Sequence, residues 1–404
     1  MPFPWLFNRR PTPQPEERSA FANLVAPSYG GERVPPSQAD RNTAVSRCVQ
    51  LISNDLAKVP IRIMRAEGNA KVESSNPLIS LLRKSPNVDQ SAFEFRRWMT
   101  ATFLIYGNSY AFIQRNGRDE VLQIIPFQPG TVSVQLSPTS GNVIYNHATM
   151  GQLAPEEILH FRFSALGDDS MVEAYSPIVR ARDALGLARS QEKAGASTYK
   201  NAATPRMSLS HPGVLSDRSA QRLAEQFSQA HSGPDSAGKA IVLEEGMTAQ
   251  VLSPLSLESA QWLAAREFSL QEVSRIYAVP TPMIGENSKS TYSNVTQMVK
   301  GYIDQCLSHH ASMWAAEVQY KLLSPDETLE HDLSFVQRGT FSDEVASLNT
   351  AVVSGIMTPN ECRARLGLNP IPGGDNLHTM PGSEILLEVE EDDDDRDAID
   401  FGDD

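Results

Sequence analysis

Residues 91–114 read SAFEFRRWMTATFLIYGNSYAFIQ, and the change of period inside them sets the fold class. Ser91 offers a capping oxygen, and Phe93, Phe95, Trp98, Met99, Thr102 and Phe103 recur at helical spacing behind it. Gly107-Asn108 breaks that helix. Tyr110 to Gln114 then reads as a strand that ends in an Asn116-Gly117 turn. Strand-like runs follow at Val121–Ile125, Thr131–Leu136 and Ile158–Phe163, so the region is α+β. The same glycine interrupts Ala101–Ile113, the most apolar stretch, and no run of 18 apolar residues occurs.

Upstream, Val45, Cys48, Val49, Ile52 and Leu56 give a helix over Asp40–Ala57, and Pro60 opens a strand carrying Ile61 and Ile63. Residues 1–38 are rich in proline with no period and read as a flexible arm. Downstream, Ser176-Pro177 is a helix start, and the helix runs to about Asn201 with Ala181, Ala184, Gly186, Ala188, Ala194, Gly195 and Ala196 along it. A small α/β insert spans Met207–Gln250, with a helix over Ser216–His231 and a strand at Lys239–Leu243. A further helix, Ser256–Ala278, is stopped by Pro280 and Pro282. A polar loop, Gly285 to Thr291, leads into a long amphipathic helix over Asn294–Leu323, where Gly301 permits a bend. Leu329–Gln337 reads as a strand. A helix over Ser342–Ser354 ends at Gly355, and Thr358-Pro359-Asn360-Glu361 is a capping box that opens a last short helix ending at Gly367.

The 404 residues are 40% hydrophobic and 21% charged, which suits a folded chain of two or three modules. Charge is distributed unevenly. Twelve acidic residues and one arginine between Glu384 and Asp404 carry −11 of the total −14, leaving −3 on the body. That terminus reads as a disordered acidic tail. A near-neutral body argues against high-affinity duplex binding, yet allows contact with DNA that slides. Cys48, Cys306 and Cys362 lie far apart without a CxxC pair, which argues against a zinc site or a disulfide framework. With no signal-peptide h-region at Met1–Arg10, the expectation is a soluble chain made in a reducing compartment.

Catalytic motifs are not found. Lys289-Ser290 imitates the end of a phosphate loop, but Ser288 stands where glycine is required and no apolar strand precedes it. His160 with Asp168 and Asp169 is a conceivable acidic metal site for an enzyme; the plainer reading is a strand-end histidine before an exposed acidic turn. His309 and His310 are adjacent on a helix and point apart. No metal, cofactor or catalytic residue is therefore expected.

Six segments in order resemble the portal proteins of long-tailed bacteriophages and gene transfer agents. They are Ala44-VSRCVQLISNDLAKVPIRI, Asn76-PLISLLRKSPN, Ala92-FEFRRWMTATFLIYGNSYAFI, Ile241-VLEEGM, Ile276-YAVPTPMIGENSKSTYSN and Gly355-IMTPNECRARLGLNPIPGGD. The resemblance implies a non-enzymatic ring, expected to be a dodecamer, at one capsid vertex of the virion, assembled in the host cytoplasm. It implies a wing (39–175), a stem helix (176–205), a clip (206–255), a second stem helix (256–280) and a tunnel loop (281–293). A long helix and strand then return to the wing (294–339), followed by a helical crown (340–380) and the acidic tail (381–404). Implied partners are double-stranded DNA in transit, the terminase large subunit, the head–tail adaptor and the major capsid protein or scaffold, with no membrane. Asn287, Ser288, Lys289, Ser290 and Thr291 would face the DNA channel. Met298, Tyr302 and Trp314 would pack within the domain or across the ring, with Gln305 and Glu317 as exposed neighbours of Trp314. The alternative to a portal is another head–tail connector component.

Overall fold

Thr43–Lys58 form helix α1 because Asn42 caps it, its side-chain oxygen accepting from the amides of Ala44 and Val45 at 3.1 and 3.2 Å. One face of α1, carrying Val45, Cys48, Ile52 and Leu56, is buried. The computed structural model describes residues 28, 31–68, 70–137, 140–163, 172–201, 207–214, 216–219, 221, 222, 225, 247–251, 258–285, 292–337 and 341–377. It divides into two units, Met1–Val336 and Gln337–Asp404.

In the first unit α1 leads to strands β1 (Ile61–Glu67) and β2 (Ala70–Glu73), then helices α2 (Leu78–Arg83) and α3 (Ala92–Tyr106). Ser91 and Glu94 cap α3 reciprocally, so the expected start holds. Arg96 turns inward from α3 and donates to the carbonyls of Leu56 and Val59, closing the C-terminal end of α1; burial lowers its pKa to about 10. The Phe-Glu-Phe-Arg run thus supplies a core ring, a cap and a clasp. Helix α3 ends at Gly107 with φ +87°, and a side chain there would meet the Tyr175 carbonyl carbon at 2.7 Å.

Strands β3 (Asn108–Arg115), β4 (Val121–Pro126), β5 (Val132–Leu136), β6 (Val143–His147), β7 (Gly151–Leu153) and β8 (Ile158–Arg162) make two antiparallel sheets, β4-β3-β8 and β5-β6-β7. Helices α4 (Pro177–Arg180) and α5 (Arg182–Asn201) follow, with β9 (Met207–Ser210) and β10 (Thr248–Val251) paired beyond them. Helix α6 (Glu258–Tyr277) returns alongside α5. Helix α7 (Tyr292–Tyr302), a π turn (Ile303–Leu307) and helix α8 (Ser308–Leu322) run on without a break. Strand β11 (Glu327–His331) then pairs with β1, Ile61 opposite His331 and Ile63 opposite Leu329, giving the order β11-β1-β2. Helix α9 (Ser334–Gln337) closes the unit. One hydrophobic core joins α1, β1, α3, β3, β8, α6, α7 and α8, and a smaller one lies under Tyr110, Phe127, Val132, Tyr145 and Leu153.

In the second unit, helices α10 (Phe341–Val353) and α11 (Pro359–Arg365) pack together, and Thr358 and Glu361 form the expected capping box. Gly355 has φ +67°; its amide donates to Val352 and the next, of Ile356, to Ala351, which is a Schellman end. Asn360 holds the proline-rich loop that follows: its side-chain oxygen accepts from the Ile371 amide (2.8 Å), and its amide nitrogen donates to Ile371 (3.1 Å) and Asp375 (2.8 Å).

Several expectations differ from this architecture. The strand read over Leu329–Gln337 stops at His331, because Asp332 donates its amide to Pro60 and its carbonyl starts a helical turn at Phe335. The long helix is continuous but carries a π turn at Ile303–Leu307, just after Gly301. The end of the proline-rich arm is packed: Ser28 and Val34 are buried, and Glu32 pairs with Lys193 and Arg189 of α5. Strands β2, β6, β7 and β10 and helix α2 were not read from the sequence. The strand at Lys239–Leu243, most of the 216–231 helix and the acidic tail lie outside the described residues.

Candidate functional site

The polar loop between α6 and α7 is held at both ends by the first unit's core. On the entering side, Tyr277 is buried and its hydroxyl donates to the Leu104 carbonyl at 3.0 Å. Ala278 then takes the left-handed conformation, φ +52°, which turns the chain out of the helix and buries Val279. Residues Thr281–Ile284 form a single 3-10 turn, and Arg47 of α1 donates to the Met283 carbonyl at 3.4 Å. Gly285, φ +109°, is the last described residue before α7. On the leaving side, Tyr302 is fully buried and donates to Asp55 at 3.2 Å. Cys306, inside the π turn, bonds back to the Tyr277 carbonyl at 3.2 Å and so ties the two sides together. Asn287, Ser288, Lys289, Ser290 and Thr291 lie outside the described residues.

Burial decides the chemistry of this root. It pushes the Cys48 and Cys306 thiols up to about 12 and raises the Tyr277 and Tyr302 hydroxyls, in Tyr302 with help from the nearby Asp55 charge. All four stay neutral at physiological pH. They serve as packing and hydrogen-bonding groups, not as nucleophiles.

Trp314 lies flat against Phe161, ring centres 4.0 Å apart, and edge-on to Phe95. Both Trp314 and Tyr302 are covered by their own chain, which leaves domain packing as their role; Met298 is only half-buried. Gln305 is exposed as expected, but Glu317 is not. It is half-buried and accepts the His160 amide at 2.9 Å, because α8 lies against β8. The small residues of α5 also have a local use. A Cβ at Gly186 would come within 2.1 Å of the Ser28 hydroxyl, so this glycine makes room for the chain's own N-terminal segment.

His160 is a structural residue. Asn108 uses its side-chain oxygen to accept the Ala174 amide (3.0 Å) and faces His160 Nε2 at 3.1 Å, while its amide nitrogen donates to the Ala174 carbonyl (2.7 Å). Nε2 is therefore the protonated nitrogen, and Nδ1 accepts from the Tyr145 hydroxyl at 3.2 Å. Its ring stacks on Tyr110, whose hydroxyl donates to Glu173 at 2.9 Å. Burial first, then the charges of Arg162 and Lys321, hold the imidazole well below its usual pKa. With both nitrogens engaged it has no lone pair for a metal. Asp168 and Asp169 lie outside the described residues, among which no cluster of three metal-ligating side chains occurs. The Tyr-Gly-Asn run stitches β3 to residues 174–176, a role that periodicity alone does not reveal.

The family model for phage portal proteins matches residues 43–367, from the first residue of α1 to just past α11. This chain belongs to the phage portal protein family. Among the relatives of this portal-family chain, the portal protein of Enterobacteria phage HK97 is 30% identical over 375 residues, covering 89% of this chain and 87% of that one. The probable portal protein of Streptomyces phage phiC31 is 24% identical, covering 89% and 82%. The fold is that of an HK97-family phage portal protein from Corynebacterium diphtheriae, seen in a crystal structure (TM-score 0.55, 16% identity, 74% and 95% covered). It is also that of a chain from the neck of a native gene transfer agent particle computed with C12 symmetry (TM-score 0.56, 21% identity, 90% and 96% covered).

Proposed function

We propose that this portal-family chain assembles into a ring, a dodecamer, at one vertex of a capsid and acts as the channel through which double-stranded DNA is packaged and released. It would dock the terminase motor first and the head–tail adaptor afterwards, with capsid protein or scaffold around it, and it would perform no catalysis. The match to the portal family over residues 43–367 carries this reading. The physics of the body agrees with it. DNA presents about one negative charge per 1.7 Å of axis, and every lysine or arginine that grips a phosphate adds affinity that sliding must break. A body with a net charge of only −3 outside the acidic terminus suits passage over capture.

Within the ring, residues 287–291 would face the DNA, and Lys289 would make transient phosphate contacts. Support comes from the two ends of the loop: Tyr277, Cys306 and Tyr302 fix them to the core, so a force on the loop reaches the body of the subunit. Met298, half-buried on α7, would touch a neighbour. The test is Lys289→Glu in the full chain. Rings should assemble normally, while packaged or retained DNA falls several-fold; wild-type packaging by assembled rings would remove the contact role.

A further inference from the structure

The chain passes from β3 to β4 through Asn116-Gly117, the one Asn-Gly pair in the sequence. Most of the hydrogen bonds in this turn converge on Asn116. Its Oδ1 accepts from the amides of Arg118 at 2.8 Å and Glu120 at 3.0 Å, and its Nδ2 donates to Glu120 Oε2 at 2.6 Å. The backbone closes around the same residue. The Asn116 amide donates to the Glu120 carbonyl (3.0 Å), and the Asn116 carbonyl accepts from the Asp119 amide (3.1 Å). Asp119 takes the left-handed conformation, φ +64°, at the end of the turn.

Gly117 is not required by that geometry. Its φ is not left-handed, and a Cβ there would meet nothing within 4 Å, so alanine would fit. What glycine brings to this place is chemical. With no side chain, its nitrogen is the least hindered nucleophile that can follow an asparagine. Gly117 is exposed, and among the described residues its amide donates to no protein group. The nucleophile is open while the electrophile, the Asn116 side-chain amide, is clamped.

We propose that Asn116 is a latent deamidation site, modified by water alone and held shut in the folded chain by Glu120. In the reaction the Gly117 nitrogen gives up its proton to hydroxide and bonds to Asn116 Cγ. The Cγ–Nδ2 bond breaks, and the leaving nitrogen takes a proton from solvent and departs as ammonia. Water then opens either carbonyl of the cyclic imide, giving aspartate or isoaspartate at position 116. Attack needs Cγ turned onto the nitrogen in the right alignment. The three side-chain hydrogen bonds oppose that rotation until the hairpin opens. The change runs one way. An aspartate at position 116 cannot donate to Glu120 and sets two carboxylates face to face, and isoaspartate adds a methylene to the backbone of the turn. Either product loosens a hairpin whose paired Ile113 and Ile124 lie in the main core, so a chain that lingers with β3 and β4 apart is marked permanently.

The test incubates full-length protein in warm, mildly alkaline buffer. Peptide mapping follows the gain of one mass unit at position 116, and isoaspartyl methyltransferase counts the isoaspartate. Folded wild type should deamidate many-fold more slowly than wild type unfolded in urea. Folded Glu120→Ala should react several-fold faster than folded wild type, whereas Glu120→Gln, which keeps an acceptor for Nδ2, should stay near the wild-type rate. Gly117→Ala in urea should be several-fold slower than unfolded wild type. Glu120 is exposed, and unchanged circular dichroism and melting would show that its variants fold. Should Glu120→Ala not fold, Glu120→Asp, which draws the acceptor back by one methylene, repeats the test. Equal rates for folded and unfolded wild type would overturn the proposal. So would an unchanged rate in Glu120→Ala, a Glu120→Gln rate as high as that of Glu120→Ala, or no slowing in Gly117→Ala.

Discussion

His310 shows how much a single side chain can hide from a sequence. It sits in α8 beside Phe103 and Phe163, and burial, with His309 next to it, lowers its pKa from 6.5 to about 4. A histidine kept neutral in the fold but free to charge when unfolded favours the unfolded state as pH falls. Its penalty is absent above about pH 6.5, grows between 6.5 and 4, and amounts to roughly 3 kcal/mol at the lower end. His310→Phe should therefore flatten the loss of stability over that window in urea titrations, with little change at pH 7.5; an equally steep acid limb would refute this. Helical spacing marked the same residue only as one of an adjacent histidine pair pointing apart. The neutral state comes first from burial, among residues such as Phe103 and Phe163 that are far from it in the chain, which no local pattern can report.

At the scale of elements, what was legible is what is amphipathic or capped. Helices α1, α3 and α6 begin and end within a few residues of where apolar spacing, Ser91 and Pro280 place them. Strands β6 and β7 were missed because Val143–His147 and Gly151–Leu153 are short and their burial depends on β5 and β8. The strap on α5 was missed for a related reason: a proline-rich segment has no period, and its order comes from Glu32 reaching Lys193 and Arg189 and from the absence of a side chain at Gly186. Gly186→Val should therefore displace residues 28–34. We expect faster proteolytic cleavage within the first 40 residues and a loss of about 1–3 kcal/mol, the usual cost of overpacking, against no change in cleavage if the strap does not need the glycine. The segments flanking residues 286–291 are the reverse case. The end of α6 was readable from Pro280, whereas the bonds that hold α6 and α7 to the core (Tyr277 to Leu104, Cys306 to Tyr277, Tyr302 to Asp55) join residues far apart in the chain.

For the whole molecule, charge becomes a property of the assembly. Removing residues 384–404 takes the chain from −14 to −3, so a ring of such chains would shed most of its mutual repulsion. Rings of the truncated chain should form at lower protein concentration in low salt, and the advantage should vanish near 0.5 M salt, where exposed charges more than a few ångströms apart are screened. An equal response of both chains to salt would place the tail's charge elsewhere in the life of the particle.

The pairing of β1 with β11 has a consequence in time. Ile61 leaves the ribosome early, but its partner His331 is made only after the excursion through α5, β9, β10 and α6. At 5–20 residues per second that wait is roughly 15–55 s, during which β1 has an unpaired edge and α1 has no α7 or α8 to cover it. A contact of such high sequence separation also makes closure slow. The polypeptide therefore cannot complete its main core while it is still short, and a nascent or truncated chain is an aggregation hazard more than an assembly partner. The topology delays subunit folding until nearly all of the polypeptide exists, a form of quality control written into strand order.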